Sequence, residues 1–421
     1  MIVQRILLAL SVLMFNSPRP AFAGGFDVEK YGFALGTFSY RLSDSGPDGP
    51  SDAFVLFEER YRSDLTIWPE DIEGLARFKF DFVHDVQDGD LWLDLREGYV
   101  DSYSDDYDFR IGRQVATWGT GDLIFINDWF PKNWESFFGG RPLEYLKSGV
   151  DGLRTRYTSN DYSWEFYLVP LFEPDQLPSS DRFSFFDPFS EIPTRLEDKP
   201  DVTIGNTELA FRLYGMIENF DVALYAYRGY WRAPGISLDN FEAPTTATTF
   251  YPRLSIYGLS AQGAMWDGIV SFEAGYYHSR NDAGGQDPMV PNSQVRLLLG
   301  YNHQLDDNTN VSVQYYSETM QNHGSYMNTL PDGFPSMGQY RDMVTFRYDR
   351  WYMYRTLNLG AFVFYSPRDE DYLIQPMMMY KIRDDLSVTF GMNFFGGKDG
   401  TSFLGQFDKN DNIYCSVRYD F

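Results

Sequence analysis

Along most of this chain apolar and polar residues take turns. Over 385–396, Leu386, Val388, Phe390, Met392 and Phe394 share one parity, against Ser387, Thr389, Gly391 and Asn393 on the other. Over 355–365, Leu357, Leu359, Ala361, Val363 and Tyr365 oppose Asn358 and Gly360. Over 293–302, Val295, Leu297, Leu299 and Tyr301 oppose Gln294, Arg296 and Asn302. Phe78, Phe80 and Phe82 stand against Arg77, Lys79 and Asp81, and Leu209, Phe211 and Leu213 against Glu208 and Arg212. A period of two sends successive side chains to opposite faces of a strand, so each run predicts a strand with one greasy and one wet face. Each is roughly ten residues long, enough for a tilted strand to cross a bilayer.

Eighteen such strands are predicted, over 31–41, 53–67, 73–84, 91–103, 107–118, 149–158, 162–172, 205–216, 220–232, 251–265, 269–280, 292–304, 309–321, 339–349, 355–366, 372–382, 386–396 and 411–421. If some of these pairs are single strands wrongly split, fourteen or sixteen remain. The connections carry a second rhythm. After even-numbered strands come short polar turns, such as Asn160-Asp161, Glu218-Asn219, Trp266-Asp267-Gly268, Asp306-Asp307-Asn308 and Asp384-Asp385. After odd-numbered strands the connections are mostly long: 42–52, 119–148, 173–204, 233–250, 281–291, 322–338 and 397–410, with 85–90 and 367–371 as tight exceptions. An even strand count with short periplasmic turns and longer external loops is the pattern of a transmembrane barrel. A soluble sandwich or propeller has no reason to alternate its loop lengths in this way. The predicted fold is therefore all-β, a transmembrane antiparallel β-barrel, with no linker that would mark a second domain.

Both ends agree with that reading. Arg5, the apolar run Ile6 to Phe15 and the small-x-small site Ala21-Phe22-Ala23 form an export signal, too short to span a bilayer as a helix. Residues 1–23 are expected to be removed, leaving 24–421 as one barrel domain. The last strand carries Ile413, Cys415, Val417, Tyr419 and Phe421 on one face. A terminal aromatic after apolar residues at every second position resembles the signal that outer-membrane barrels present to their assembly machinery. The expected address is the outer membrane of a Gram-negative-type bacterium, among its lipid and lipopolysaccharide. Cys415 is the only cysteine, so no intrachain disulfide is available.

Composition narrows the function classes. Aromatics make up 18% of the chain, with 31 Tyr and 36 Phe, which suits a barrel that hides its apolarity in alternation. A formal charge of −25 excludes nucleic acid as a partner, because phosphates demand a basic surface. Of the histidines His84, His278, His303 and His323, only His278 sits beside a hydroxyl, Ser279, and adjacent strand residues point to opposite faces. Hydrolase, zinc-protease, P-loop, dinucleotide and haem-attachment motifs are absent from the sequence. The acidic loops 173–204 and Asp44, Asp48 and Asp52 lack the spacing of a calcium loop. No enzyme activity, cofactor or metal is expected.

One segment carries a family resemblance. Leu95-Arg96-Glu97-Gly98-Tyr99-Val100-Asp101, then Arg110-Ile111-Gly112-Arg113-Gln114, then Trp118-Gly119 and Asp122, resembles the outer-membrane porin-like barrels of the alginate-export group and related uncharacterised barrels. It spans residues 91–131, a tenth of the chain. The resemblance implies a barrel that conducts solute and leaves the solute open.

The inward parity collects Arg77, Lys79, Arg110, Arg154, Arg156, Arg212, Arg296, Arg347, Lys381 and Arg418, with Asp81, Asp94, Glu165, Glu208, Glu273 and Glu318. A wide barrel holds water unless plugged, so its inner wall must be polar. These charges either solvate that wall or set a transverse field, arginine-rich on strands 3 to 8, that passes anions or polyols. Two loops are unusually aromatic: 119–148, with Phe125, Ile126, Trp129, Phe130, Trp134, Phe137 and Phe138, and 173–204, with Phe183, Phe185, Phe186 and Phe189. Solvated loops seldom expose so much apolar area. At least one, 119–148 first, is expected to fold into the mouth and narrow the pore; a lid above the rim and a greasy entrance are the alternatives. Trp68, Trp118, Trp231, Tyr251, Trp266 and Trp351 are expected in interfacial girdles.

Two dipeptides, Glu58-Glu59 and Arg96-Glu97, put charge on both faces of a strand. An arginine at the lipid midplane costs about 2–4 kcal/mol, so these are expected at an interface, at a bulge or under a neighbouring subunit. The expected function is a porin that lets small or chain-like hydrophilic solutes, anions among them, diffuse through. The alternatives are a channel for hydrophobic or aromatic solutes and a plugged barrel serving as scaffold or adhesin. Monomer and trimer satisfy the pattern equally.

Overall fold

The computed structural model describes residues 25–43, 49–50, 53–240 and 243–421; the export signal and Asp44, Asp48 and Asp52 lie outside them. In chain order the strands are β1 (Phe26–Arg41), β2 (Phe54–Pro69), β3 (Gly74–Asp85), β4 (Leu91–Tyr103), β5 (Tyr107–Gln114), β6 (Val150–Thr158), β7 (Ser163–Val169), β8 (Thr194–Asp198), β9 (Glu208–Ile217), β10 (Phe220–Tyr230) and β11 (Gly235–Leu238). They continue with β12 (Thr246–Phe250), β13 (Arg253–Met265), β14 (Gly268–Ser279), β15 (Gln294–Asp306), β16 (Thr309–Met320), β17 (Tyr340–Tyr352), β18 (Leu357–Ser366), β19 (Asp371–Arg383), β20 (Leu386–Gly397) and β21 (Asn412–Asp420). β8, β11 and β12 make a small sheet of their own within the long loops. The other eighteen form one antiparallel sheet that closes on itself, β1 pairing with both β2 and β21. Every predicted run is a strand of this wall.

The closing seam runs from Phe33 opposite Asp420 to Arg41 opposite Asn412. It is extended by one exchange of backbone bonds between Gly32 and Phe421, at 3.1 and 3.0 Å. The Phe421 ring stacks on Tyr61 with centroids 5.3 Å apart. A Cβ at Gly32 would lie 2.6 Å from that ring, so the seam requires glycine there.

The wall is greasy outside. Ile111, Leu224 and Leu299 are 63%, 53% and 55% exposed, whereas inward Leu298 is wholly buried. No helix among the described residues is long and apolar enough to cross a membrane. A closed sheet needs none, because its ladder has no open edge and backbone polar groups find partners in neighbouring strands. The bulk of the packed core lies inside the barrel, where residues of 118–138 meet residues of the wall.

Arg96 occupies a bulge. Lys79 pairs with Glu97 and Phe80 with Leu95, so Arg96 is an extra residue, and the shift turns its guanidinium inward. There it donates to the carbonyls of Glu144 and Lys147 at 2.9 and 2.7 Å. Glu58 turns inward and Glu59 outward, where Glu59 meets His84 at 3.3 Å.

Three of the expected girdle aromatics are elsewhere. Trp118, Trp231 and Tyr251 are only 4%, 5% and 8% exposed. The wall strand predicted over 107–118 ends at Gln114, and the chain then turns inward, so that the Trp118 indole donates to Glu165 at 2.9 Å. Trp231 leaves β10 to pack on Tyr277, and the Tyr251 hydroxyl donates to Glu197 beside the small sheet. Trp68 and Trp266 are exposed.

Candidate functional site: the loop-crossed lumen

The segment between β5 and β6 crosses the barrel interior and is fastened to opposite walls. Gly119, at φ 81, starts the excursion. On β14, Glu273 accepts backbone N–H groups from Thr120, from Gly121 at 2.8 Å and from Asn127 at 3.2 Å, and the Asn127 amide at 3.1 Å. Asp122 pairs with Arg347 of β17 at 3.0 Å, and its N–H donates to Gln314 of β16. The turn is tight: a Cβ at Gly121 would fall 2.1 Å from the carbonyl oxygen of Ile124, and Leu123 holds a left-handed φ of 64.

The chain then doubles back through Trp129 and Phe130, stacked at 4.3 Å, with Trp129 on Tyr227 of β10 at 4.5 Å. Lys132 is buried; burial pushes its ammonium below the usual lysine range while Asp128, 3.1 Å away, pulls it back up. Helix α1 (Trp134–Gly139) begins at Asn133, whose side chain accepts the Ser136 N–H at 2.7 Å, and stops at Gly140 with φ 84. Phe138 packs on Phe395 and Phe407, and its carbonyl accepts from Asn393 and Asn412 at 2.8 and 3.2 Å.

A second anchor holds the far side. Glu58, 1% exposed, receives Arg60 at 2.6 Å and Arg141 of the loop at 2.9 Å. Asp81, wholly buried, receives Arg62 and the Tyr145 hydroxyl, the latter at 2.8 Å. The guanidinium groups of Arg60, Arg62 and Arg96 stand over the Tyr145 ring at 4.5, 5.2 and 5.1 Å. Burial raises the Tyr145 phenol above its usual range, so it stays a neutral donor. Loop 173–204 adds a tie: Arg182 pairs with Asp85 and Asp88, and Phe183 is buried in the common core.

Two cavities remain beside the crossing loop. One, of about 590 Å³, lies toward the loop end of the barrel. Its lining includes Phe125, Trp134, Phe138, Phe185, Phe186, Trp231, Tyr277, Phe364, Leu373 and Phe403, with Arg296, Glu318 and Arg341 in one wall. The other, of about 290 Å³, lies toward the turn end. It is lined by Arg141, Arg347, Asp349, Gly360, Phe362, Gln375, Met377, Thr389, Tyr414 and Ser416 among others. Leu123 and Phe137 line both. The strand register shows that the two are stacked: Thr345, Phe364 and Leu373 form one inward row, and Arg347, Phe362 and Gln375 the next row down. Phe362 and Phe364 stand 4.5 Å apart, and Phe137 meets Phe364 edge to face at 6.1 Å.

Of the inward cations, Arg296 and Arg347 line these cavities. The others line neither. Arg77 pairs with Asp64, Lys79 with Glu97, Arg110 with Asp101 and Arg156 with Asp108. Arg110 and Arg154 are cross-strand neighbours, and Arg212 lies over Tyr214. The loop aromatics Phe125, Trp129, Phe130, Trp134, Phe137 and Phe138 all line the outer cavity. Sequence reading missed Leu123, Phe362 and Phe364. The signal for the last two was present: above Gly360 the wet parity of β18 turns aromatic.

No family model matches this chain, and no curated protein matches it in sequence. Solved structures do. OccD3 of Pseudomonas aeruginosa aligns with a TM-score of 0.56 at 8% identity, over 94% of this chain and 91% of its own. OccAB3 of Acinetobacter baumannii gives 0.56 at 11% identity, over 94% and 99%. OccK5 of Pseudomonas aeruginosa gives 0.55 at 8% identity, over 94% and 97%. At such identities the likeness is one of fold. The chain is a closed antiparallel β-barrel of eighteen strands with a greasy exterior, the fold of these bacterial outer-membrane proteins.

Proposed function

We propose that this barrel is a channel through which small solutes diffuse passively, without chemistry, past the β17–β19 arc of the wall that both cavities share. The observation that supports this is the stacking of two cavities on one arc, with Leu123 and Phe137 common to both. On this reading the pair forms the waist, Phe125, Trp134 and Phe138 line the approach, and Trp129 and Phe130 brace the loop. The favoured solutes are small organic molecules with an aromatic or apolar body, because the larger chamber is walled by rings and burying apolar surface yields about 25 cal/mol per Å². Hydrophilic or chain-like solutes are the second reading, favoured by Arg141, Arg347, Asp349 and Gln375 in the lining of the inner chamber. The motif over 91–131 makes the alginate-export group the proposed kin.

Planar-bilayer recording and liposome swelling test both. Steady conductance, with faster swelling in small aromatic acids than in sugars of equal mass, is the expected result. Faster swelling in sugars would favour the second reading. An electrically silent barrel would sink the channel and leave a plugged scaffold or adhesin.

A further inference from the structure

Several outward-facing charges on this wall have a partner: Glu59 meets His84, and Arg113 meets Asp151 at 2.6 Å and the loop residue Glu173 at 3.4 Å. One group does not. Arg228 shares the outward parity of Leu224 on β10, Arg253 that of Tyr257 and Leu259 on β13, and Arg280 follows β14 on the parity of Tyr276 and His278. Arg228 and Arg253 are exposed and Arg280 is half-buried. The register brings them together: Arg228 lies opposite Ser255, two residues along β13 from Arg253, and the Arg280 N–H donates to the Arg253 carbonyl at 2.8 Å. Neighbouring strands stand about 4.8 Å apart, so three guanidinium groups share a small patch. No carboxylate pairs with any of them among the described residues, and the nearest cations acting on Arg280 are Arg228 and Arg253, of its own sign.

Depth matters as much as charge. The patch sits at the loop end, which is the external end of an outer-membrane barrel. Immediately below it, Tyr257 and Tyr276 form a cross-strand pair, 59% and 41% exposed. Exposed tyrosines of this kind mark the boundary between hydrocarbon and headgroups. The three arginines therefore stand at headgroup height, facing lipid. An unpaired cationic cluster in a chain of net charge −25 has no internal reason to exist, and its members repel one another.

We propose that Arg228, Arg253 and Arg280 form a binding site for the phosphate of an outer-leaflet glycolipid headgroup. Guanidinium groups grip phosphate through paired, charge-assisted hydrogen bonds, while Tyr257 and Tyr276 lie against the sugar or the first methylenes. The site is independent of whether the lumen conducts.

The test uses the full barrel in phosphatidylcholine nanodiscs doped with lipid A, counting lipid A retained per barrel by mass spectrometry. The native protein is expected to retain at least about ten times more than the triple variant Arg228→Gln, Arg253→Gln, Arg280→Gln. Dephosphorylated lipid A should not be retained, and Arg350→Gln at the opposite end should change nothing. Heat-modifiable migration on gels checks that each variant is folded. Equal retention by the triple variant, or retention of dephosphorylated lipid A, overturns the proposal. So does displacement of lipid A by millimolar inorganic phosphate, which would make the patch a site for the free anion.

Discussion

Leu123 holds a backbone conformation that a branched-chain L-residue normally avoids, at φ 64. It is kept there by the tight turn at Gly121 and by Asp122 bound to Arg347. Such strain persists only where the surroundings over-determine it, and this residue lies at the junction of both chambers. Phe137→Ala and Leu123→Gly should each raise single-channel conductance while the protein still migrates as a folded barrel; unchanged conductance in both would place the waist elsewhere. Glu58 presents a different case. Replacing it by Gln removes the nearest carboxylate of both Arg60 and Arg141 and leaves them Asp81 at 3.4 Å and Glu135 at 3.9 Å, a loss of up to about 3–5 kcal/mol for a broken buried pair. A clearly lower urea midpoint in detergent is expected, and an unaltered midpoint would mean that water reaches the site.

The crossing loop is an element with two fastenings, Glu273 at one end and Glu58 with Asp81 at the other. Deleting 125–138 keeps the Thr120 and Gly121 bonds to Glu273 and the whole of the second fastening, gives up those of Asn127 and removes the aromatic filling, so conductance should rise severalfold with the wall intact; recordings indistinguishable from the native protein would reject a role in narrowing. The eighteen wall strands were legible in the sequence because a wall between lipid and lumen forces a period of two, and because turn chemistry differs at the two ends. The aromatic richness of 119–148 was legible for a related reason, since exposed rings need cover. What alternation cannot carry is where a segment goes once it leaves the wall. Trp118 reads as the end of β5 yet turns inward, since its indole hydrogen finds Glu165 there. The small sheet was illegible too: β8 and β12 pair in parallel across the 47 residues 199–245, and neither five-residue stretch carries a clear pattern.

For the molecule as a whole, the consequence is asymmetry. The β5–β9 side, which carries Arg110, Arg154, Arg156 and Arg212, lines neither chamber, while β17 contributes Arg347 and Asp349 to the inner one. Ion preference should follow the side that conducts. Arg347→Glu is expected to shift the reversal potential toward cations, and Arg156→Glu to shift it far less; the opposite ranking would move the path to the other side. The loop's two fastenings also have a mechanical meaning. A thin hoop of strands flattens easily when squeezed from the side, but one laced across its diameter from β2 to β14 behaves like a braced wheel. Lateral pressure from a crowded bilayer should then leave the bore round, and cutting the lacing would make the aperture respond to membrane tension.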